Sequence, residues 1–288
     1  MKLSKRETLT GYALVLPLLI GCVLFYAVPF LMVAWYSVVK GTGSSQIFVG
    51  LGNYIRLFQN EIFRLACGNT FLFLALGLAL TFLLGFAIAH LLKAKTAGSR
   101  MLRTAVMLPY VMPVVGAVLL TDVVFTEAGL MNRLLDALGL PVQQWLSGNG
   151  AFWVVLGLYL WKSTGYSAIL LLSGLVTIPG EHYDAAALDG ANKWRQLLHV
   201  TVPQMWYSIF FSCAISLLNA FRCFREVLLI GGDHPHSSIY MLQHFINNSF
   251  GKLSYSKMTV ASMLFIAVLC MVFGLCYRFV LRKEAYKE

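Results

Sequence analysis

Long apolar runs, interrupted only by isolated polar positions, alternate with short polar segments along the whole chain. Six of these runs reach the roughly 20 residues needed to cross a hydrocarbon core. They cover about Tyr12–Val39, Cys67–Leu92, Leu102–Phe125, Ala151–Val176, Met205–Ile230 and Met258–Leu281. At that length only a helix satisfies its own backbone groups in lipid, and no run shows the alternation of a barrel strand. The pattern predicts an all-α polytopic membrane protein with six transmembrane helices, forming a single domain over residues 1–288. Lys2, Lys5 and Arg6 precede the first run as they would in a signal peptide. That run exceeds the roughly 7–15 residues of a signal core, holds Pro17 and Pro29, and has no small-x-small closure, so a retained span is expected.

The most polar interruption is residues 177–204, which must lie outside the bilayer. Within it, Asp184 to Leu188 favour a helix, Gly190 breaks it, and Asn192 to Val200 form a second amphipathic run. Two short helices at an angle are expected, with Asp189 capping the second. Gly190 suits the turn between them, since a Cβ is costly wherever φ is positive. Further out, Gly41-Thr42-Gly43-Ser44-Ser45 reads as a flexible connection, and Tyr54, Leu57 and Phe58 predict an interfacial helix. Gly77 and Gly85, with Ala79 and Ala87, predict close helix packing in the second span.

Charge then orients the spans. The chain is 59% hydrophobic and 12% charged, with a net charge of +10. Ordinary soluble proteins carry roughly 25% charged residues. The N-terminus, the loops after spans two and four, and the C-terminus together hold thirteen Lys and Arg, among them Lys93, Arg103, Lys193 and Arg195. The opposite side holds six: Lys40, Arg56, Arg64, Arg133, Lys252 and Lys257. The positive-inside rule places both termini and residues 177–204 in the cytoplasm, and this bias accounts for the net charge without any nucleic acid.

Candidate chemistry is mostly excluded. The six cysteines are scattered and form no Cys-x-x-Cys, and His90, His234 and His236 lack a third ligand at metal spacing. There is no Gly-x-x-x-x-Gly-Lys-Ser/Thr phosphate loop, no Gly-x-Ser-x-Gly elbow and no His-Glu-x-x-His helix. No acidic pair sits mid-span, as a proton-driven carrier would need. A non-catalytic membrane subunit is expected, and energy for uphill transport must arrive from another polypeptide, with the 177–204 segment as its point of entry.

Asp184-Ala185-Ala186-Ala187-Leu188-Asp189-Gly190-Ala191, followed by Trp194, Val200 and Pro203 and preceded by Ile178-Pro179, resembles the EAA loop of ATP-binding-cassette importer permeases. Phe48-Val49-Gly50-Leu51-Gly52-Asn53-Tyr54, Asn69-Thr70, Leu108-Pro109-Tyr110 with Pro113, and Gly231-Gly232 with Pro235 resemble landmarks of the maltose-type sugar permeases. The resemblance implies a type I importer fold forming one half of a heterodimeric pore. It also implies three partners: a second permease subunit, a dimer of ATPase subunits that bind the ATP and Mg, and an extracytoplasmic solute-binding protein. This chain would itself bind no cofactor. Its coupling loop would comprise Glu181, Asp184, Ala185, Ala186, Asp189, Gly190, Ala191, Trp194 and Pro203. The family's leading Glu is Asp184 here, and Glu181, one turn upstream on the same face, is the alternative acid for the main contact.

Ionisable residues inside spans mark cavities or partner helices. Lys162, Arg222, Arg225 and Glu226, with Tyr159, Trp161, Tyr166, Asn219 and Phe224, are the candidate liners of a sugar path. Arg222 and Glu226 also stand four residues apart, as an ion pair within one helix would, and Lys162 can snorkel. Three cations near the path leave an anionic solute, such as a uronate, a phosphorylated glycerol or a sialic acid, as the alternative to a neutral sugar. A self-powered carrier or an intramembrane enzyme would need mid-span acids or a nucleophile–base pair, and neither is evident.

Overall fold

The computed structural model describes residues 5–41, 46–93 and 98–284. Residues 42–45 of the expected flexible connection lie outside the described residues. The chain runs through α1 (Lys5–Cys22), α2 (Val28–Val38), a two-residue hairpin of β1 (Val39–Lys40) and β2 (Ile47–Phe48), α3 (Gly52–Phe58) and α4 (Glu61–Lys93). Then follow α5 (Ser99–Val111), α6 (Val114–Phe125), α7 (Leu130–Ala137), α8 (Ala151–Val176), α9 (Gly180–Leu188), α10 (Lys193–Gln196), α11 (Val202–Gln204) and α12 (Trp206–Arg222). The last elements are α13 (Phe224–Gly231), α14 (Leu242–Gly251) and α15 (Tyr255–Glu284). Among the described residues, five segments are long and apolar enough to cross a membrane: Gly11–Val38, Glu61–Lys93, Val114–Ala137, Ala151–Val176 and Tyr255–Gly274.

Two of the six apolar runs are not single helices. The run expected over Leu102–Phe125 divides into α5 and α6 at Met112 and Pro113. Pro113 has no N–H for the ladder and drives the residue before it into extended backbone, and Met112 has φ −62° and ψ 130°. The run over Met205–Ile230 divides at Cys223, whose N–H is shared between the carbonyls of Asn219 and Phe221. Both interruptions fall within runs that the sequence expects to cross the membrane, where irregular backbone is tolerated only if it lines a cavity or is covered by protein.

Proline also explains two π-helical turns. One spans Val23–Ala27, with the Val28 N–H bonded to the Val23 carbonyl, and Pro29 follows. The other spans Leu197–Thr201, with the Val202 N–H bonded to the Leu197 carbonyl, and Pro203 follows. In each case a missing donor two residues past the turn lets the ladder slip by one position. Pro203 thereby sets the register in which the 177–204 segment returns to the membrane.

Contacts divide the chain into two compact units, residues 1–64 with 245–275 and residues 65–244 with 276–288. In the first unit, the buried Asn53 donates to the carbonyls of Ser37 (3.0 Å) and Val39 (2.8 Å), pinning α3 to the end of α2. Residues 54–58, where an interfacial helix is expected, do form a helix, α3, with Leu57 buried and Phe58 exposed.

The second unit is built around α8. Phe73, Val155, Leu156, Tyr159, Ala220, Val227 and Ile239 form one buried cluster, and Ala89, Leu171, Leu175 and Met205 anchor another. Small residues allow the helices to approach closely, as membrane packing requires. A Cβ at Gly77 would lie 3.0 Å from the Tyr159 ring, and one at Gly85 would lie 2.9 Å from the Ser167 hydroxyl. A Cβ at Gly165 would strike the Val106 carbonyl of α5, and one at Gly174 would strike Ser208. Ser167 and Ser212 share a 2.6 Å hydroxyl bond between α8 and α12. Asn69 donates to the carbonyls of Ser237 (2.6 Å) and Tyr240 (3.0 Å), and Thr70 accepts from the Leu242 N–H (2.9 Å). The Asn69-Thr70 pair therefore ties α4 to the loop ahead of α14.

Candidate functional site

The two helix interruptions meet at one cavity of about 310 Å³. Tyr110, Met112, Pro113 and Val114 contribute from the first break. Asn219, Arg222, Cys223, Arg225 and Glu226 contribute from the second, and Tyr159, Lys162 and Ser163 from α8. The volume falls at the lower end of the roughly 300–1,000 Å³ of small-molecule sites. Six of the nine residues expected on the sugar path line it: Tyr159, Lys162, Asn219, Arg222, Arg225 and Glu226.

The remaining three point elsewhere. Trp161 lines a separate apolar groove between α6 and α8, beside Trp153 and Leu120. Tyr166 stacks on Tyr110 at 4.5 Å and 13°, so it backs a wall residue. Phe224 meets His244 edge-on at 4.8 Å. His244 is fully buried, accepts from the Met241 N–H at 3.3 Å, and so receives an otherwise free donor at the start of α14. Burial holds its imidazole neutral, with the pKa pushed down to about 4 against the opposing pull of Asp233. Tyr110, Met112, Pro113, Val114, Ser163 and Cys223 were missing from the expected liners, and Pro113 was the sequence signal that could have placed the first four.

Lys162 and Glu226 form an ion pair, Nζ to Oε1 at 2.6 Å, with side chains 15% and 7% exposed. This replaces the Arg222–Glu226 pair expected from sequence. The break at Cys223 removes the single-helix geometry that spacing required, and Lys162 is paired rather than snorkelling. Glu226 Oε2 is buried with no partner among the described residues. Arg222 and Arg225 are exposed and carry no hydrogen bond or ion pair among the described residues. With one acid already paired, the cavity keeps an excess of positive charge.

The 177–204 segment forms an elbow. Helix α9 ends at Leu188, Gly190 turns with φ +76°, and α10 begins at Lys193. Asp189 closes α9 as its C-terminal cap residue, and Asn192 caps α10 by accepting from the Arg195 N–H at 2.9 Å. The expected capping role of Asp189 therefore passes to Asn192. Glu181, Asp184, Ala185, Asp189 and Gly190 are exposed, and Ala186 and Ala191 are half-buried. Leu188 is 90% exposed and Trp194 68% exposed, and both stand at the bend as apolar projections. Tyr183 closes the segment on itself through a hydroxyl bond to Thr201 (3.0 Å) and ties it to α4, its ring lying under the Lys93 ammonium (5.0 Å). Among the described residues no cluster of His, Cys, Asp and Glu is arranged to hold a metal.

Residues 17–284 match the family model described as binding-protein-dependent transport system inner membrane component. The chain is 31% identical over 252 residues to the probable ABC transporter permease protein YurN of Bacillus subtilis, covering 85% of this chain and 86% of that protein. It is 29% identical to the trehalose/maltose transport system permease protein MalF of Thermococcus litoralis, with 81% of each chain covered. The sn-glycerol-3-phosphate transport system permease protein UgpA of Yersinia pestis is 29% identical, over 96% of this chain and 95% of the relative. Among solved structures, a bacterial ABC transporter involved in import of the acidic polysaccharide alginate shares the fold with a TM-score of 0.79. It is 22% identical, over 97% of this chain and 96% of that one. The chain is thus a multi-pass membrane protein with the expected permease fold, and it belongs to the family of binding-protein-dependent transport system inner membrane components.

Proposed function

We propose that this chain is one of two permease subunits of an ATP-binding-cassette importer for a saccharide, driven by separate ATPase subunits that dock on residues 177–204. The observation that carries the reading is the exposed elbow at Gly190, where Leu188 and Trp194 project into solvent beside Glu181 and Asp184. Two large apolar side chains exposed on either side of one tight turn suit insertion into a groove of a partner protein. Both termini and the elbow are cytoplasmic, following the distribution of Lys and Arg. The ATP and Mg belong to the ATPase partners. A ligand can shift a two-state transporter only through contacts that differ between the states. Closure of the ATPase dimer acts through the elbow on α8 and α12, whose interruption-lined cavity opens in turn to either side.

The cavity suits a sugar: Tyr110 offers an aromatic face, while Asn219, Ser163 and the free Glu226 Oε2 meet hydroxyls. The sugar transport named for relatives in Thermococcus supports this reading. One observation favours an acidic member of the class, namely that Arg222 and Arg225 have no counter-charge in the cavity. The glycerol phosphate named for the Yersinia relatives fits the same chemistry.

Reconstituted with its second permease, ATPase and binding protein, the complex is expected to accumulate solute only when ATP is supplied on the ATPase side. Charge-assisted hydrogen bonds contribute about 1.5–3 kcal/mol each. Arg222→Gln with Arg225→Gln should therefore lower uptake of an acidic sugar at least about tenfold and leave a neutral one nearly unchanged. Accumulation without the ATPase would refute the importer reading, and equal loss for acidic and neutral sugars would refute the charge preference.

A further inference from the structure

A second, smaller cavity lies wholly within the first unit, where α2 ends and α15 begins. It measures about 160 Å³, and its lining includes Lys40, Arg56 and Lys257, with Asn53 and Asn60 between them. No acidic residue lines it; Glu61, the nearest acid in sequence, is not part of the wall. The guanidinium is held in place: Arg56 Nε donates to the Gly52 carbonyl (3.1 Å), and Nη2 donates to Asn53 Oδ1 (3.0 Å). Asn53 is itself buried and fixed by two backbone carbonyls. Three basic side chains therefore line one small space, the guanidinium of one of them held by two hydrogen bonds, and no acidic residue lines it. Such a cluster costs repulsion unless an anion meets it, and a fixed guanidinium is the side chain that suits an oxyanion.

What surrounds the cavity identifies the anion. Phe48 of β2, Leu51 just ahead of α3, and Ile55 and Phe58 of α3 are each more than half exposed. Val38, the last residue of α2, and Tyr255, the first of α15, place the cavity at the level where two spans leave the hydrocarbon. That depth is where lipid headgroup phosphates lie, and the exposed apolar row is positioned to run beside acyl chains.

We infer that Lys40, Arg56 and Lys257 form a binding site for the phosphate of an anionic phospholipid, whose acyl chains lie along Phe48, Leu51 and Ile55. A zwitterionic lipid would bring a further cation to a site that already holds three, so the site discriminates by headgroup charge. The inference is independent of what the central cavity carries.

The test uses the assembled importer, extracted in detergent with defined lipids and examined by native mass spectrometry. The complex should retain phosphatidylglycerol in preference to phosphatidylcholine. Lys40→Gln with Lys257→Gln leaves the bonds of Arg56 intact and should cut that retention about tenfold or more, the loss expected when charge-assisted hydrogen bonds to a phosphate are removed. Lys252→Gln, outside the cavity, should leave retention unchanged. Inorganic phosphate in millimolar excess should fail to displace the lipid. Equal retention of both lipids, or unchanged retention in the Lys40/Lys257 variant, overturns the site. Full displacement by free phosphate, or loss of the solute-binding protein with lipid retention intact, assigns the cations to a different occupant and also overturns it.

Discussion

Replacing Glu226 by Gln is expected to destabilise the protein by about 3 kcal/mol, because it leaves the Lys162 ammonium in the membrane without its counter-charge. The substitution keeps shape and one acceptor, so packing hardly changes and the loss isolates charge. Removal of one member of a buried pair costs about 3–5 kcal/mol. The lower end applies because Lys162 keeps 15% exposure of its side chain at the cavity edge. The double change Lys162→Met with Glu226→Leu should recover most of that loss, since an apolar pair of similar volume avoids the desolvation of both ions. Thermal unfolding of the four species in detergent closes the cycle. A Glu226→Gln protein as stable as the parent would show that the pair is solvated and not structural. Transport should remain impaired in the double variant, because both side chains line the cavity.

Gly165→Ala should be more damaging than its size suggests. The added methyl group would strike the Val106 carbonyl, a backbone atom that cannot rotate away. Helix α5 must then separate from α8, which breaks the Tyr110–Tyr166 stack and withdraws the first interruption from the cavity. Overpacking of this kind typically costs about 1–3 kcal/mol, and a backbone clash belongs at the upper end. Gly157→Ala, on the same helix with open space around its Cβ position, is the matched control and should be neutral. Comparable melting temperatures for the two variants would contradict the close α5–α8 approach.

The spans were legible because uninterrupted apolar runs have one solution in lipid. The breaks were less so, since hydropathy continues unchanged through Met112–Pro113, and the charges of Arg222, Arg225 and Glu226 around Cys223 mark a polar site without marking a kink. Pro113 carried a readable signal; Cys223 carried none, because its kink depends on a shared hydrogen bond and on no residue type. The Lys162–Glu226 pair joins residues 64 apart in sequence, and spacing within a helix pointed instead to Arg222. Trp161 and Phe224 show the same limit: aromatic residues adjacent to a path residue on a helix face another direction. By contrast, the turn at Gly190 was legible, since a glycine between two helix-forming runs foretold the positive φ. The cap of the second short helix was misplaced by three residues, from Asn192 to Asp189, because both residue types favour that position.

The central claim is that the Gly190 elbow receives the ATPase. A Cβ at Gly190 meets nothing within 4 Å, so Val there acts through the strained φ of +76° alone and leaves the membrane-embedded packing untouched. Asp184→Lys reverses an exposed charge on the same elbow. The most direct measurement is co-purification in detergent, comparing the parent with the Asp184→Lys, Gly190→Val variant. The account predicts that the parent brings down the ATPase subunit and the second permease, while the variant keeps the permease and loses the ATPase. Retention of the ATPase by the variant, or its absence from the parent, would contradict the account and return the source of energy to this chain.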